Sequence, residues 1–324
     1  MNRYARQMIL PEVGTEGQAR LARAHVLVVG AGGLGSPVLQ YLAGAGVGVV
    51  TLIDPDHVEE SNLHRQPLYR MSDLGQAKVH AARAHLLASN PEVRIEAHHL
   101  SLHPGNASTF VAQADVVIDA ADSFAVSYIL SDTCQAHRKP LIAASALGQT
   151  GYAGGFCGPV GAPSLRAVFP DLPDRGETCA SAGVLGPVVG MIGALQAQMA
   201  LQVVLQHDPS PLGQMITLDL QHLRFGGFAF LGAPEPPNAI SFLEKADLST
   251  EDHVIELRDT SEAPNPVVPY AKRLTRREAR DVTIESDKRV VLCCSTGLRA
   301  WRAATELRSK GHETLAILAA SACA

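Results

Sequence analysis

Concentrated basic charge is missing from this sequence. Its 27 Lys and Arg residues are outnumbered by 32 Asp and Glu residues, and the formal net charge is -5. Proteins that bind a nucleic-acid backbone normally carry a basic face, so no nucleic-acid partner is expected. Hydrophobic residues make up 46% of the 324, which is ample for one large and one small packed core. Small ligands and protein partners are the expected ones.

The sequence also lacks a secretory signal and a cysteine framework. No uninterrupted apolar region opens the chain, which favours a cytoplasmic location with reduced thiols. The six cysteines form no CxxC pair, and Cys293 and Cys294 are adjacent. This spacing fits neither a set of disulfides nor a structural zinc site.

Two uncharged segments, residues 26–53 and 178–206, are longer than a membrane span requires. Glycines and Pro37 interrupt the first, which is more typical of a strand, a turn, a helix and a second strand. The second carries four glutamines, as a buried helix of a soluble protein can. We therefore expect both segments in soluble cores and predict no membrane partner.

From residue 25 onward, short β-rich runs alternate with helical patterns. The runs are HVLVVG, VGVVTLID, VRIEAH, DVVIDA and PLIAASA, with helices predicted near 36–45, 75–89 and 124–137. This order predicts an α/β fold with a Rossmann-like, mostly parallel sheet and helices on both faces. A long apolar helix follows, and MITLDL and LRFGGFAF predict late antiparallel strands.

Closely spaced prolines at residues 231–240 predict a linker, because they prevent regular hydrogen bonding and stiffen the chain. We therefore divide the chain into a domain at 1–230 and a smaller one at 241–324. The second contains the strands VIELRD, RVVLCC and ETLAIL and a helix from about 298 to 310, so it is expected to be α/β as well.

A glycine-rich turn carries the first chemical signal. Gly30, Gly32 and Gly35 satisfy GxGxxG between a strand and a helix, and Asp54 ends the next strand at the interval of a ribose-binding acid. Ser36 is expected to cap the helix, with a proline in its first turn. The turn suits a phosphate-bearing ligand, which this motif alone leaves as a nicotinamide dinucleotide or another nucleotide.

Further motifs resemble the MoeB/ThiF family, the adenylyltransferases of molybdopterin and thiamine biosynthesis that are related to ubiquitin-activating enzymes. They are DPDHVEESNLHRQ from Asp54, GQAKVHAAR from Gly75 and AADS from Ala120. The ordered resemblance extends from RYARQ at 3–7 to GVLGPVVGMIGALQA at 183–197, about two-thirds of the chain.

The resemblance implies a site for ATP and Mg²⁺. Arg65 would contact the phosphates, Lys78 would neutralise charge as pyrophosphate leaves, and Asp122 would be the magnesium-associated aspartate. Ser123 departs from the usual Asn. The nucleotide-binding set is then Gly30, Gly32, Gly33, Gly35, Asp54, Ser61, Asn62, Leu63, His64, Arg65, Gln66, Lys78, Asp122 and Ser123.

The implied reaction is adenylation of the C-terminal glycine of a small ubiquitin-fold sulfur-carrier protein that ends in Gly-Gly. The carboxylate is already ionised, so the enzyme mainly positions reactants and shields negative charge. Arg6 in RYARQ matches the family's arginine that reaches into the neighbouring subunit's ATP site. The resemblance therefore implies a homodimer.

Cys179 in ETCASAG matches the family's motif cysteine before the long helix. It is a candidate to accept the acyl group or to form a persulfide or acyl-disulfide, with a packed inert thiol as the alternative. Many relatives carry two CxxC pairs for zinc. Here Ser164 and Ala167 stand in the first pair's cysteine positions and no second pair precedes residue 240, so we predict no zinc.

In the second domain, VVLCCSTGLRAWRAA resembles the active-site loop of rhodanese sulfurtransferases, here in a short and truncated domain. Cys294, Gly297 and Arg299 match C-x-x-G-x-R. Such a loop directs backbone N–H groups at the sulfur, and Arg299 would add positive charge. The resemblance implies a persulfide on Cys294, fed by a donor such as a cysteine desulfurase, and a thiocarboxylate product.

Other functions stay open at this stage. An NAD-dependent oxidoreductase explains the glycine turn and Asp54 but gives no role to SNLHRQ, Lys78 or the cysteine loop. A dehydratase acting on a small molecule or a tRNA base through adenylation is a second alternative, and a noncatalytic binding role is the last. The sequence does not identify the carrier or the destination of the sulfur among molybdopterin, thiamine, tRNA, cysteine and secondary metabolites.

Overall fold

The computed structural model describes residues 3–171, 183–282 and 288–320. An eight-stranded sheet forms the first unit, and its first five strands alternate with helices as predicted. The strands are β1 (His25–Val29), β2 (Val49–Ile53), β3 (Arg94–His98), β4 (Val116–Asp119), β5 (Pro140–Leu147), β6 (Thr150–Cys157), β7 (Gln214–Asp219) and β8 (Arg224–Ala229). The helices are α1 (Gly14–Arg23), α2 (Gly35–Ala45), α3 (Lys78–Ser89), α4 (Pro104–Gln113), α5 (Phe124–His137), α6 (Leu165–Val168) and α7 (Gly186–Leu205), with 3-10 turns at Glu60–Asn62 and Met71–Asp73.

The strand order is β3-β2-β1-β4-β5-β6-β7-β8. The first five strands in this order are parallel, and β5 to β8 pair antiparallel. The late antiparallel strands β7 and β8 were predicted, whereas β6 was not. In the middle, Val28 of β1 pairs with Leu52 on one side and with Ile118 on the other. The chain therefore leaves β1 first in one direction and later in the other, and parallel sheets bind ligands at the carboxyl ends of the strands beside such a reversal.

Helix α2 forms because its apolar residues recur at helical spacing after the glycine turn. Val38, Leu39 and Leu42 are fully buried against the sheet. The expected cap by Ser36 is wrong: its hydroxyl donates to the carbonyl oxygen of Gly32 at 2.8 Å, and no side chain caps the helix. The Ser36 N–H donates to the same carbonyl oxygen at 2.9 Å, so this group is paired within the turn and not by a capping side chain.

Among the described residues, only α7 is long and apolar enough to span a membrane by length and composition. It packs against α2, β5 and β6. Gly193 permits this contact, since a Cβ there would lie 2.5 Å from the carbonyl oxygen of Leu34. In this fold α7 is a helix that covers the large sheet.

A second, five-stranded sheet forms the C-terminal unit. Its strands are β9 (Ser241–Phe242), β10 (His253–Glu256), β11 (Lys272–Arg273), β12 (Val290–Cys294) and β13 (Leu315–Ala319), and its helices are α8 (Arg276–Arg280) and α9 (Leu298–Ser309), with a 3-10 turn at Lys245–Asp247. The strands are all parallel, in the order β11-β10-β12-β13-β9.

The two faces of β12 have different surroundings, because side chains of a strand alternate. Leu292 and Cys294 belong to a large apolar cluster that also contains Tyr128 of the first unit. Val291 and Cys293 belong to a small cluster confined to the C-terminal unit. The face that carries Cys294 is therefore the one that continues into the first unit.

Candidate nucleotide-binding site

A cavity of about 750 Å³ opens at the carboxyl ends of β1, β2 and β4, beside the reversal of strand order. A volume of this size suits a small ligand. Among the predicted residues, the following line it: Gly30, Gly32, Gly33, Asp54, Asn62, Arg65, Gln66, Lys78, Asp122 and Ser123. The fold thus brings residues from 30 to 123 of the sequence to one cleft.

The glycines of the turn have different tasks. Gly30 has φ of +102°, and a Cβ there would lie 2.4 Å from the carbonyl oxygen of Ala120. At Gly35 a Cβ would lie 2.0 Å from the carbonyl oxygen of Gly30. These two glycines allow the turn to pack against β4 and the start of α2, whereas at Gly32 the nearest atom to an added Cβ is the Gln66 amide nitrogen at 3.6 Å. The backbone at Gly32 is therefore open to a ligand.

Asp54 lies at the end of β2 and is 6% exposed. Its Oδ2 accepts the N–H of Ala31 at 2.7 Å, and its Oδ1 accepts the N–H of Asp56 at 2.8 Å. Burial raises the pKa of Asp54, while the charge of Lys78 and these two hydrogen bonds oppose the rise. A carboxylate can accept about four hydrogen bonds, so each oxygen keeps capacity for a hydroxyl donor.

Lys78 begins α3 and is 5% exposed. Its Nζ donates to Oδ2 of Asp56 at 2.8 Å, and its backbone N–H donates to the carbonyl oxygen of Asp56 at 2.9 Å. Sequence reasoning did not assign Asp56 a role, although it stands two residues after Asp54 in the quoted motif. The ammonium is thus held at the cleft by an acid whose own side chain is 63% exposed.

The SNLHRQ segment folds back on itself beside the cleft. Arg65 donates from Nη1 to the carbonyl oxygen of Ser61 at 3.1 Å and to the ring of His64 at 2.8 Å, and from Nη2 to Oδ1 of Asn62 at 2.9 Å. Gln66 is 2% exposed, and its Oε1 has no hydrogen-bond partner among the described residues. A buried acceptor without a donor is costly, so a ligand that donates there is favoured.

Asp119 ends β4 in the wall of the cleft and is 1% exposed. Burial raises its pKa to about 6; a hydrogen bond from Ser127 opposes the rise, and nearby Asp122 adds to it. Asp122 itself is exposed at the mouth. Sequence reasoning missed Asp119, and its only signal was an acid that ends an apolar strand, the same signal that found Asp54.

The far end of the cleft is aromatic, which the sequence did not reveal. Tyr152 and Phe169 stack with ring centroids 5.1 Å apart, and the hydroxyl of Tyr128 donates to the carbonyl oxygen of Phe169 at 2.6 Å. All three line the cavity. The cleft therefore joins a polar half, which carries the glycine turn, to an apolar half.

Some predicted site residues lie elsewhere. Gly35 packs against the carbonyl group of Gly30 within the turn, and Leu63 packs against the core. The Ser61 hydroxyl donates to Glu59 at 3.3 Å, and the His64 ring is hydrogen-bonded to Arg65. Arg6 is exposed and is not among the described residues that line the cleft. Cys179 lies outside the described residues. The roles given to these residues stay predictions.

Comparison with known proteins identifies the family. A family model described as "ThiF family" matches residues 4–237. The chain belongs to the ThiF family. The sulfur carrier protein adenylyltransferase of Thermus thermophilus is 43% identical over 231 residues, which are 69% of this chain and 85% of that protein.

A second relative is longer than this chain. It is the adenylyltransferase and sulfurtransferase MOCS3 of Culex quinquefasciatus, which is 44% identical over 219 residues, 67% of this chain and 50% of that protein. The chain thus spans about half the length of curated relatives of this kind. MccB of E. coli has the same fold, with a TM-score of 0.64 at 22% identity over 72% of each chain. Another structure of MccB, with ATP, has a TM-score of 0.61 at 23% identity over 72% of this chain and 73% of that one.

The two positions that match the first cysteine pair of many relatives cannot supply thiolate ligands for zinc in this chain. Ser164 donates its hydroxyl to Glu235 at 2.5 Å, and Ala167 has no metal-binding side-chain atom. Cys134 and Cys157 are buried and free, and burial raises the pKa of both thiols, which opposes the thiolate that zinc requires. Within the described ranges, no group of three or more His, Cys, Asp or Glu side chains is placed to hold a metal ion.

The cysteine loop of the C-terminal unit lies beyond the ThiF-family match. Cys294 ends β12, is fully buried, and accepts the N–H of Ala300 from the first turn of α9 at 3.4 Å. Gly297 precedes α9 with φ of +82°. Arg299 pairs with Glu262, and this pairing raises the pKa of the arginine and lowers that of the glutamate. A helix N-terminus therefore faces the sulfur, while the guanidinium is engaged by a carboxylate.

Proposed function

We propose that this protein uses ATP to adenylate the C-terminal carboxylate of a small ubiquitin-fold sulfur carrier. The observation that carries the proposal is the cleft of a ThiF-family chain in which the glycine turn, Asp54 and Lys78 converge from three separate elements. Relatives named sulfur carrier protein adenylyltransferase and adenylyltransferase and sulfurtransferase support the choice of substrate.

In this reaction a carboxylate oxygen of the carrier forms a bond to the α-phosphorus, and the bond to the departing pyrophosphate breaks. The glycine turn and the start of α2 offer backbone N–H groups to phosphate. Asp54 accepts the ribose hydroxyls. Lys78 and Arg65 stabilise the negative charge that grows on the leaving group, and no general base is required. Asp122 and Asp119, which both line the cleft, would offer carboxylate oxygens to Mg²⁺, and the ion would neutralise phosphate charge.

The exposed edge of the large sheet supports a polypeptide partner. Every residue of β8 is exposed, and Phe225 and Phe228 show 63% and 51% of their surfaces to solvent. An unpaired edge strand offers its backbone to another chain. A groove of about 410 Å³ beside β8 is lined by Tyr152, which also lines the cleft. The body of the carrier would dock on this edge, and its tail would enter the cleft past Tyr152.

A homodimer is part of the proposal. Exposed apolar side chains follow Arg6 in the N-terminal segment, with Ile9 at 69% and Leu10 at 53% exposure. Tyr41 on α2 and Met191 on α7 are also exposed, at 57% and 42%, on helices that pack side by side. Exposed apolar side chains are typical of a protein interface, and an interface at the N-terminal segment would carry Arg6 to the partner's cleft.

The sulfur step is assigned to Cys294 in a rhodanese-like unit at 241–324. A persulfide donor such as a cysteine desulfurase would load the thiol. The terminal sulfur would attack the acyl-adenylate and release AMP, which leaves an acyl-disulfide. A second thiol would then attack the Cys294 sulfur and release the thiocarboxylate. The N–H of Ala300 and the start of α9 support this role, since both stabilise a sulfur anion.

Pyrophosphate exchange into ATP tests the adenylation directly. The purified chain is incubated with ATP, labelled pyrophosphate and a carrier that ends in Gly-Gly, and the matched control is the same carrier without its last glycine. We expect exchange with the intact carrier only. Redox turnover of NAD(H), with no exchange and no protection by ATP against heat, would reject the proposal in favour of an oxidoreductase.

A further inference from the structure

The segment around α6 connects three distant parts of the chain. Glu235, in the proline-rich stretch after β8, accepts the backbone N–H of Ser164 at 2.7 Å and the Ser164 hydroxyl at 2.5 Å. It also accepts the side-chain amide of Gln135 on α5 at 3.3 Å. The linker is therefore tied down at the point where α6 begins.

Arg166 makes the second half of this connection. Its side chain is 3% exposed and donates to both carboxylate oxygens of Asp132, at 2.5 and 2.8 Å. It also donates to the carbonyl oxygen of Ile240, which precedes β9, at 3.1 Å. The guanidinium carbon lies 4.5 Å from the ring centroid of Tyr128 and 5.4 Å from that of Trp301. One cation thus contacts the first unit, the linker and α9.

These contacts lie where, according to the family resemblance, many relatives carry the cysteine pairs that bind zinc. Ser164 and Ala167 stand in the positions of the first cysteine pair, and the linker stretch before residue 240 is where a second pair would be needed. A zinc site would join those two stretches through thiolates. Here a carboxylate and a guanidinium join them instead.

We infer that this set of side chains, Asp132, Ser164, Arg166, Glu235 and Trp301, is a metal-free latch that makes the two units unfold as one. A buried arginine is stabilised only while its partners stay in place, because an uncompensated buried charge is costly. Moving the C-terminal unit away would remove Trp301 and the Ile240 carbonyl from Arg166. The apolar cluster shared by the two units adds to the same coupling.

The latch also reaches the cleft. Tyr128 contacts Trp301 with ring centroids 5.5 Å apart, and it lines the cavity together with Phe169. Trp301 is the single tryptophan of the chain, so its fluorescence reports on the latch and on the cleft wall. The latch can be tested without any adenylation activity, since tryptophan emission and circular dichroism both follow unfolding directly.

Thermal unfolding of the full chain, followed by tryptophan emission and by far-UV circular dichroism, tests the latch. We expect one coincident transition, unchanged by 1,10-phenanthroline, and no zinc by elemental analysis. In Arg166→Leu, the emission midpoint should fall by about 4 °C or more and separate from the dichroism midpoint. Glu235→Ala changes an exposed residue and should separate the emission and dichroism midpoints in the same direction. It is the test variant if Arg166→Leu does not fold.

Val291→Ala is the matched control, because Val291 is fully buried on the opposite face of the C-terminal sheet. It should lower the midpoint while the two probes stay coincident. Stoichiometric zinc, a chelator-dependent midpoint, separate transitions in the unmodified chain, or coincident transitions in both latch variants would each overturn the inference.

Discussion

The Nζ of Lys78 lies 2.8 Å from Oδ2 of Asp56, and the two partners differ sharply in burial, with side chains 6% and 63% exposed. The pair therefore presents a largely desolvated cation that is balanced by a solvated anion. A cation in such a site acts strongly on charge that develops nearby, because water screens it little.

Replacing Lys78 by Met should remove this effect without unfolding the protein, since Asp56 stays solvated. We expect pyrophosphate exchange to fall about 10²–10³-fold, the range for removal of one donor that stabilises a transition state. Asp56→Asn is the companion variant: it keeps the ammonium and should lose much less activity. Equal losses in the two variants would show that the ion pair, rather than the cation, is what matters.

Gly30→Ala tests the turn. The added Cβ meets the carbonyl oxygen of Ala120, and φ of +102° is strained for alanine, so the free energy of unfolding should fall by about 1–3 kcal/mol. ATP binding, measured by calorimetry, should be lost as well. Gly44→Ala in α2 is the control, because nothing lies within 4 Å of its added Cβ and the helix should gain about 0.5–1 kcal/mol. A tolerated Gly30→Ala would contradict the proposed packing.

Asp119 should make the protein less stable as the pH rises. Its pKa of about 6 in the folded chain exceeds the ordinary 3.8, so the folded state binds the proton more tightly than the unfolded state does. The stabilisation is complete below about pH 4 and is lost as the pH passes through 6. Between pH 4 and 8, Asp119→Asn should therefore become increasingly more stable than the parent. At the upper end its free energy of unfolding should exceed the parent's by about 1–3 kcal/mol, as followed by melting temperature. Asp122→Asn removes only the minor contribution of that neighbouring charge to the pKa of Asp119, so it should keep most of the parent's trend.

Cys294 and Cys293 allow a matched test of the sulfur step. Cys294→Ser should leave exchange intact and abolish thiocarboxylate formation, detected by mass spectrometry of the carrier. Cys293→Ser should retain both, because that thiol faces the small apolar cluster, and burial raises its pKa. Thiocarboxylate made by Cys294→Ser would remove the sulfur step from this loop.

The regular elements could be predicted because their local patterns are strong. β1, β2 and β4 are buried apolar runs bounded by turns, and α5 follows helical spacing. The two-residue strands β9 and β11 could not be predicted, since pairing partners far along the chain define them. The four-residue α6 is too short to show a helical period.

The residues of the candidate site also divide into those that a sequence motif predicts and those that it does not. Gly30, Asp54 and Lys78 stand in motifs, and the fold brings them to one cleft. Tyr152 and Phe169 carry no motif, because Tyr152 of β6 meets Phe169, which follows α6, only in the folded chain. Arg166 was unassigned for the same reason: its partners Asp132, Ile240 and Trp301 lie far from it in the sequence.

The adjacent cysteines of β12 constrain how sulfur leaves the protein. Neighbouring residues of a strand are about 3.8 Å apart at Cα, closer than a relaxed disulfide allows, and their thiols point to opposite sides of the sheet. Cys293 therefore cannot act as the resolving thiol for a sulfane sulfur held on Cys294. The acceptor that takes the sulfane sulfur from Cys294 would therefore have to approach from the side of the sheet that carries α9. Sulfur could leave this loop on that side only.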